Sequence, residues 1–270
     1  MPCVNEINAL QPQVEKIAVA AGNAILSIYE RDFEIVTKTD DSPLTEADLA
    51  AHNVIIAGLE AMCDLPILSE ESADIPWSTR QTWDSYWLVD PLDGTKEFIK
   101  KNGEFTVNIA LISDGVPVLG VVYAPVLDTL YSGVVGHGAT KTLKGETIAM
   151  SPASRSDAHT YQVVGSRSHQ SPEIQQFIAA LDKTAELVSM GSSLKLCLVA
   201  EGAAHFYPRL GPTSEWDTGA AHAVALAAGA TVTELSLETI AASATNPTSQ
   251  TPLRYNQSES VLNPFFLVSC

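Results

Sequence analysis

The segment Trp87-Leu88-Val89-Asp90-Pro91-Leu92-Asp93-Gly94-Thr95 constrains this chain more than any other. Its apolar start reads as a buried strand. That strand delivers Asp90 into a tight turn in which Pro91 fixes φ. A second carboxylate follows at Asp93, and Gly94 lets the backbone approach a ligand closely. Two hard oxygen anions at this spacing, with the Leu92 carbonyl between them, suit one or two Mg²⁺ ions. No His or Cys neighbours them, which argues against zinc. If Thr95-Lys96-Glu97-Phe98 opens a helix, the amides of Gly94 and Thr95 face an incoming phosphate. Taken alone, the same run also fits a solvated turn.

Three further acidic groups carry the same ambiguity. Glu70-Glu71 follows the apolar Ile67-Leu68 and lies at a strand end, where α/β proteins place active-site residues. Adjacent acids are equally common in exposed turns. Asp217, in Glu215-Trp216-Asp217-Thr218, precedes an Ala-rich helix and reads as a ligand or as its N-cap. Thr45-Glu46-Ala47-Asp48 reads as a capping arrangement at the start of another helix. The histidines show no ligand spacing among themselves, and Trp77, Trp83 and Trp87 read as packing residues.

Composition narrows the partners. The chain has 270 residues, 46% of them hydrophobic, enough for one large domain or two modest ones. A net charge of −17 argues against a dedicated binder of nucleic-acid polymers and opposes docking on anionic membranes. A phosphorylated small molecule could be handled only if the acid were masked locally, and metal cations are the obvious mask. Cys3, Cys63, Cys197 and Cys270 lack paired zinc spacing and are expected as thiols in a reducing compartment. The start, MPCVNEINALQPQ, has neither the basic region nor the apolar core of a secretory signal. Val107 to Val126, the longest apolar candidate, is broken by Ser113, Asp114 and Gly115, so no membrane span is expected. A soluble, cytoplasmic protein is the expectation.

Periodicity predicts helices from about Gln13 to Tyr29 and from Ala47 to Met62, and strands at Pro66–Leu68 and at Tyr86–Val89, the latter ending at Asp90. Phe105–Ile112 and Val116–Tyr123 form a predicted hairpin around Asp114-Gly115, followed by a strand at Asp128–Val135. The second half alternates. Strands are predicted at Tyr161–Gly165, Glu186–Met190 and His205–Pro208, and helices at Pro172–Leu181, Ser193–Glu201 and Thr218–Ala228. Leu237–Gln257 reads as a polar loop and Phe265–Val268 as a closing strand. A composition shift near Gly145 suggests two parts, residues 1–145 and 146–270.

Glu70-Glu71-Ser72, Asp90-Pro91-Leu92-Asp93-Gly94-Thr95 and Trp216-Asp217-Thr218-Gly219-Ala220, in this order, resemble the inositol monophosphatase superfamily of metal-dependent, lithium-sensitive phosphomonoesterases. Further motifs are similar to those of its CysQ-type 3′(2′),5′-bisphosphate nucleotidases. They are Gly94-Thr95-Lys96-Glu97-Phe98-Ile99, Asn102-Gly103-Glu104-Phe105-Thr106-Val107-Asn108, Gly191-Ser192-Ser193-Leu194-Lys195, Tyr207-Pro208-Arg209 and Leu262-Asn263-Pro264. The resemblance covers nearly the whole chain.

The resemblance implies a mixed α+β and α/β fold, a layered αβαβα sandwich of the inositol monophosphatase and fructose-1,6-bisphosphatase type. Residues 1–145 would carry most metal ligands, and residues 146–270 would carry Asp217 and the nucleoside-recognition segment. It implies two or three Mg²⁺ ions held by Glu70, Asp90, Asp93, Asp217 and the Leu92 carbonyl, with Glu71 beside them. Glu70 and the pair Thr95 and Asp48 would position or deprotonate the attacking water. Leu92, Asp93, Gly94, Thr95 and Asp217 would surround the phosphate, while Ser192, Ser193, Lys195 and Arg209 would meet the rest of a phosphorylated nucleotide. Arg167 is a further anion partner by type. The implied reaction removes the 3′-phosphate of adenosine 3′,5′-bisphosphate in sulfur metabolism, with the sulfated nucleotide as second substrate. Some relatives suggest a peripheral place at the inner face of the membrane. Two alternatives stand beside it: an inositol or sugar phosphate monoesterase, and a non-catalytic acidic metal-binding protein. The absence of a DxDxDG loop weighs against the second. Two departures are noted: Thr140 stands where many relatives carry an aromatic, and Leu237–Thr251 is longer and more polar.

Overall fold

The computed structural model describes residues 4–31, 35–37, 43–165, 172–246 and 251–270. Helix α1 (Val4–Tyr29) buries Ile7, Val14, Ala18, Ala21 and Ile25 along one face. It starts at Val4, well before the predicted Gln13, and runs through Pro12. Ile7 continues the apolar stripe, and its burial offsets the hydrogen bond that Pro12 cannot make. An antiparallel pair, β1 (Ile35–Thr37) and β2 (Pro43–Thr45), leads into α2 (Glu46–Met62).

Then come β3 (Ile67–Ser69), a 3₁₀ turn at Glu70–Ser72, the short α3 (Trp77–Arg80), β4 (Ser85–Asp93) and α4 (Thr95–Ile99). A meander of β5 (Thr106–Ser113), β6 (Val116–Ala124), β7 (Thr129–Val134), β8 (Gly138–Leu143) and β9 (Glu146–Ala149) completes a seven-stranded sheet in sequence order. Only its β3–β4 pair is parallel. The rest of the chain supplies β10 (Tyr161–Gly165), α5 (Pro172–Ala179), β11 (Ala185–Ser189), α6 (Leu194–Ala200), β12 (Phe206–Arg209), α7 (Glu215–Ala228), β13 (Thr231–Glu234), α8 (Ile240–Thr245) and β14 (Phe266–Ser269). Its five-stranded mixed sheet has the order β11-β10-β12-β14-β13.

Three cores make five layers. One joins α1 and α2 to the first sheet through residues such as Ile25, Ile55, Val89 and Val121. A second seats α6 and α7 between the sheets, with Leu88, Ala110, Val224 and Phe266 in contact around them. In the third, Phe177 of α5 and Ile240 of α8 cover the far face of the second sheet at Val163 and Phe206. The αβαβα order is the expected one. Among the described residues, no helix is long and apolar enough to cross a membrane.

Several local expectations need correction. The chain does not turn at Pro91. β4 continues to Asp93 through a register shift, with Asp90 opposite Asn108 and Asp93 opposite Thr106. One extra residue on β4 makes this a β-bulge, a place that tolerates proline's missing donor. β8, β9 and β13 were not anticipated. β9 is exposed throughout, so its residues lack the alternation that marks a half-buried strand. Within the predicted loop Leu237–Gln257, α8 forms because Ile240 and Ala244 share one buried face. Helix α7 begins at Glu215 rather than Thr218, which puts Asp217 inside its first turn.

Helix α7 lies unusually close to the first sheet. A Cβ on Gly120 of β6 would stand 2.0 Å from the Ala220 carbonyl oxygen. Gly120→Ala should therefore lower stability by about 2 kcal/mol or more, since backbone has to move on one side. Urea unfolding measures this, and an unchanged midpoint would contradict the close seating of α7.

Candidate active site

The bulge of β4 and the first turn of α7 converge. Single carboxylate oxygens of Asp90, Asp93 and Asp217 lie within 4.8 Å of one another. Each acid is anchored by a backbone amide. Leu92 N–H donates to Asp90 Oδ1 at 3.0 Å, folding the bulge around the carboxylate. Ser214 N–H donates to Asp217 Oδ2 at 2.9 Å. Asp217 thus serves the helix start from its third position, with Ser214 as the N-cap, and still presents an oxygen to the cluster. Ser193 N–H donates to Asp93 Oδ2, a bond from the second sheet's side to the first. Glu70, on the 3₁₀ turn that follows β3, is close enough for its charge to act on all three. Glu71 is the next residue of that turn.

Asp48 and Thr95, 47 residues apart, also meet. The Thr45 amide and hydroxyl donate to Asp48 Oδ2 at 2.8 and 2.6 Å. The Thr95 hydroxyl reaches Asp48 Oδ1 and the Leu92 carbonyl, both at 3.5 Å. Asp48 is therefore a capping residue of α2 with one oxygen directed to the site. Gly94, between Asp93 and Thr95, has φ of 95°, the left-handed conformation that favours glycine.

Burial and like charge both push these carboxyls toward the protonated form. Burial is the larger cause at each. Asp93 rises to about 6, with the Lys195 ammonium and the Ser193 amide opposing. Asp217 rises to about 7, with Asp93 as the next contributor. Asp90 rises well above the usual range, through burial first and then Glu70, Asp93 and Asp217. Protons or a cation can neutralise such a cluster, and its donors are all oxygen. The set fits a hard divalent ion.

A cavity of about 660 Å³ adjoins the cluster, lined by Asp93 and Asp217, by Lys195 and Arg209, and by apolar Ile174 and Leu187. Lys195 is pulled down by burial and held up by Asp93. The Arg209 Nε is buried without a protein partner, while its Nη2 donates to Pro212 O at 2.8 Å. Ser192 also lines the cavity, and its buried Oγ has no partner. Ser193 differs: its hydroxyl donates to Asn108 Oδ1 at 2.7 Å and lies 2.8 Å from Thr106 Oγ1. It braces the turn before α6 against the first sheet. Sequence reasoning assigned no role to Thr106 or Asn108. They stand in the motif Asn102–Asn108 that carries part of the family resemblance, and they form a polar pair at alternate positions of a mostly apolar, fully buried strand. Arg167 lies outside the described residues.

The raised carboxyls hold protons in the folded state that the unfolded chain, with ordinary values of 3.8, releases. Metal-free stability should then fall as pH rises from about 4 to about 7. Asp217→Asn should raise the metal-free Tm at pH 8, leave it little changed at pH 4, and weaken Mg²⁺ binding at least about tenfold by calorimetry. A wild-type Tm that climbs between pH 5 and pH 7 without metal would contradict the clustering.

Residues 8–262 match the inositol monophosphatase family. Over 261 residues the chain is 50% identical to the 3′(2′),5′-bisphosphate nucleotidase CysQ of Escherichia coli (strain K12), covering 95% of this chain and 98% of that protein. The crystal structure of CysQ from Bacteroides thetaiotaomicron, a bacterial member of the inositol monophosphatase family, aligns with a TM-score of 0.77 at 45% identity over 94% of each chain. An inositol monophosphatase from Anabaena shares the fold, with a TM-score of 0.72 at 24% identity over 98% of this chain and 91% of that one. On sequence match and layer order together, this chain belongs to the inositol monophosphatase family.

Proposed function

We propose that this chain is a Mg²⁺-dependent 3′(2′),5′-bisphosphate nucleotidase. It removes the 3′-phosphate of adenosine 3′,5′-bisphosphate to give AMP, with the sulfated nucleotide as second substrate. The observation that carries this reading is the cavity that adds Lys195 and Arg209 to the carboxylate cluster. A simple monoester needs the cluster alone, whereas a bisphosphate brings a second anion that needs its own cations. The near full-length identity to CysQ nucleotidases supports the same substrate class. The thiols of Cys63, Cys197 and Cys270 are free, in keeping with a reducing, cytoplasmic location.

Glu70, Asp90, Asp93, Asp217 and the Leu92 carbonyl would hold two or three Mg²⁺ ions. When bound, the metal supplies charge neutralisation to the phosphate and acidity to the attacking water. The protein's own groups do the rest. With Asp48 Oδ2 occupied by Thr45, Oδ1 accepts the Thr95 hydroxyl and so directs that oxygen's lone pairs toward the water. The water donates one hydrogen bond to Thr95 and loses its other proton to Glu70. Its oxygen bonds to phosphorus as the bond to the 3′-oxygen breaks in line, and the freed 3′-oxygen takes a proton from solvent to become the 3′-hydroxyl of AMP. The amides of Gly94 and Thr95 steady the phosphate, and Lys195, Arg209 and the Ser192 hydroxyl take the remainder of the nucleotide. Ser193 holds this arrangement from behind.

Phosphate release should be faster from adenosine 3′,5′-bisphosphate than from inositol 1-phosphate, and chelation of Mg²⁺ should abolish both. Faster turnover of inositol 1-phosphate would overturn the substrate assignment. Metal binding without any phosphate release would favour a non-catalytic metal-binding protein. Thr95→Ala should lower kcat about 100-fold with little change in KM, as loss of a proton-positioning group does. A kcat within twofold of wild type would remove Thr95 from the mechanism.

A further inference from the structure

Glu104 lies in the connection between α4 and β5 and lines the same cavity as Lys195 and Arg209, but it is not among the metal ligands or substrate contacts proposed above. Its own amide donates to Asn102 Oδ1 at 2.9 Å. Its Oε2 accepts the Gly191 amide at 2.8 Å, from a residue 87 positions away in the other half of the chain. The contact is close along its length. A Cβ on Gly191 would stand 2.8 Å from the Glu104 carbonyl oxygen and 2.9 Å from its Cβ. The same carbonyl oxygen lies 3.3 Å from where a Cβ of Gly94 would be. One residue therefore packs against both the glycine that follows Asp93 and the glycine that opens the turn before α6.

That turn is held at two ends. On its Ser193 side the anchors are Asp93, Thr106 and Asn108. On its Gly191 side the anchor is the Glu104 carboxylate. Between them Ser192 is kept at φ of 45°, a conformation that costs energy for a residue with a side chain, and its buried hydroxyl faces no protein partner. We propose that Glu104 is a positioning residue for substrate selection. It pins the Gly191–Ser193 turn to the phosphate loop and so sets the distance between the hydrolysed phosphate and the groups, Ser192 and Lys195, that read the rest of the nucleotide. The inference rests on the nucleotidase reading above. A carboxylate accepting an amide makes a strong, directional bond, which suits a spacer between two binding regions.

The test compares Glu104→Ala and Glu104→Gln with wild type on two substrates, adenosine 3′,5′-bisphosphate and inositol 1-phosphate. Glu104→Ala should lower the ratio of their kcat/KM values about tenfold through a higher KM for the nucleotide. Glu104→Gln keeps a side-chain acceptor and should restore most of that ratio. Equal losses on both substrates, or a fall in kcat alone, would mark Glu104 as merely structural and overturn the proposal. Hydrogen exchange on the ligand-free proteins judges the same point without activity. Amides of residues 190–195 should exchange faster in Glu104→Ala while those of β4 do not, and unchanged exchange in the turn would also overturn it. If wild type fails to prefer the nucleotide, the substrate reading falls, and the exchange result alone decides whether Glu104 pins the turn.

Discussion

Like charge buried in one place is the constraint on which this structure turns. Asp90, Asp93 and Asp217, with Glu70 beside them, oppose folding through desolvation and mutual repulsion. What offsets this is spread across the molecule. The Leu92, Ser193 and Ser214 amides each satisfy one carboxylate, and they come from β4's bulge, the turn before α6 and the residue capping α7. The cluster exists only when α6 and α7 are docked on the first sheet, because its carboxylates and their anchoring amides come from β4, the turn before α6 and the start of α7. The close seating of α7 on β6 supplies the apolar energy for that docking, with Ala220, Val224 and Leu88 in a shared core.

The charge balance looks different in this light. Of 15 basic residues, Lys100, Lys195 and Arg209 line the cavity next to the acid cluster. A net charge of −17 repels polyanions from the surface as a whole, yet this cavity gathers positive charge and carboxylates within reach of each other. With divalent ions in the carboxylates, its local sign inverts and a small, highly anionic molecule becomes an acceptable ligand. An overall charge of −17 disfavours nucleic-acid polymers, yet it is compatible with a site that takes a phosphorylated small molecule.

Much of the site was legible because its elements are local. The apolar run into Asp90, the Thr45–Asp48 box and the Asp114-Gly115 hairpin are written in consecutive residues, and each formed. The expectation at Pro91 erred because a bulge and a turn use the same residue types; only pairing with Asn108 and Thr106 separates them. Asp217 posed a choice between cap and ligand that its geometry dissolves, since one carboxylate has two oxygens. β9 escaped notice because an exposed edge strand carries no buried face to leave a pattern, and α8 because two apolar positions in a polar segment are too few to signal a helix.

By itself, the sequence determined the order of the acids, the hard-oxygen character of the donor set and the family resemblance, because these depend on residue type and spacing along the chain. The tertiary structure decided which groups share a pocket. It brought Asp48 to Thr95, turned Ser193 inward as a brace while leaving the Ser192 hydroxyl buried without a protein partner, and set Glu104 against Gly191. Those pairings span 47 to 87 positions of sequence. Only the packing of the two sheets around α6 and α7 fixes such distances, since nothing local to either partner encodes them.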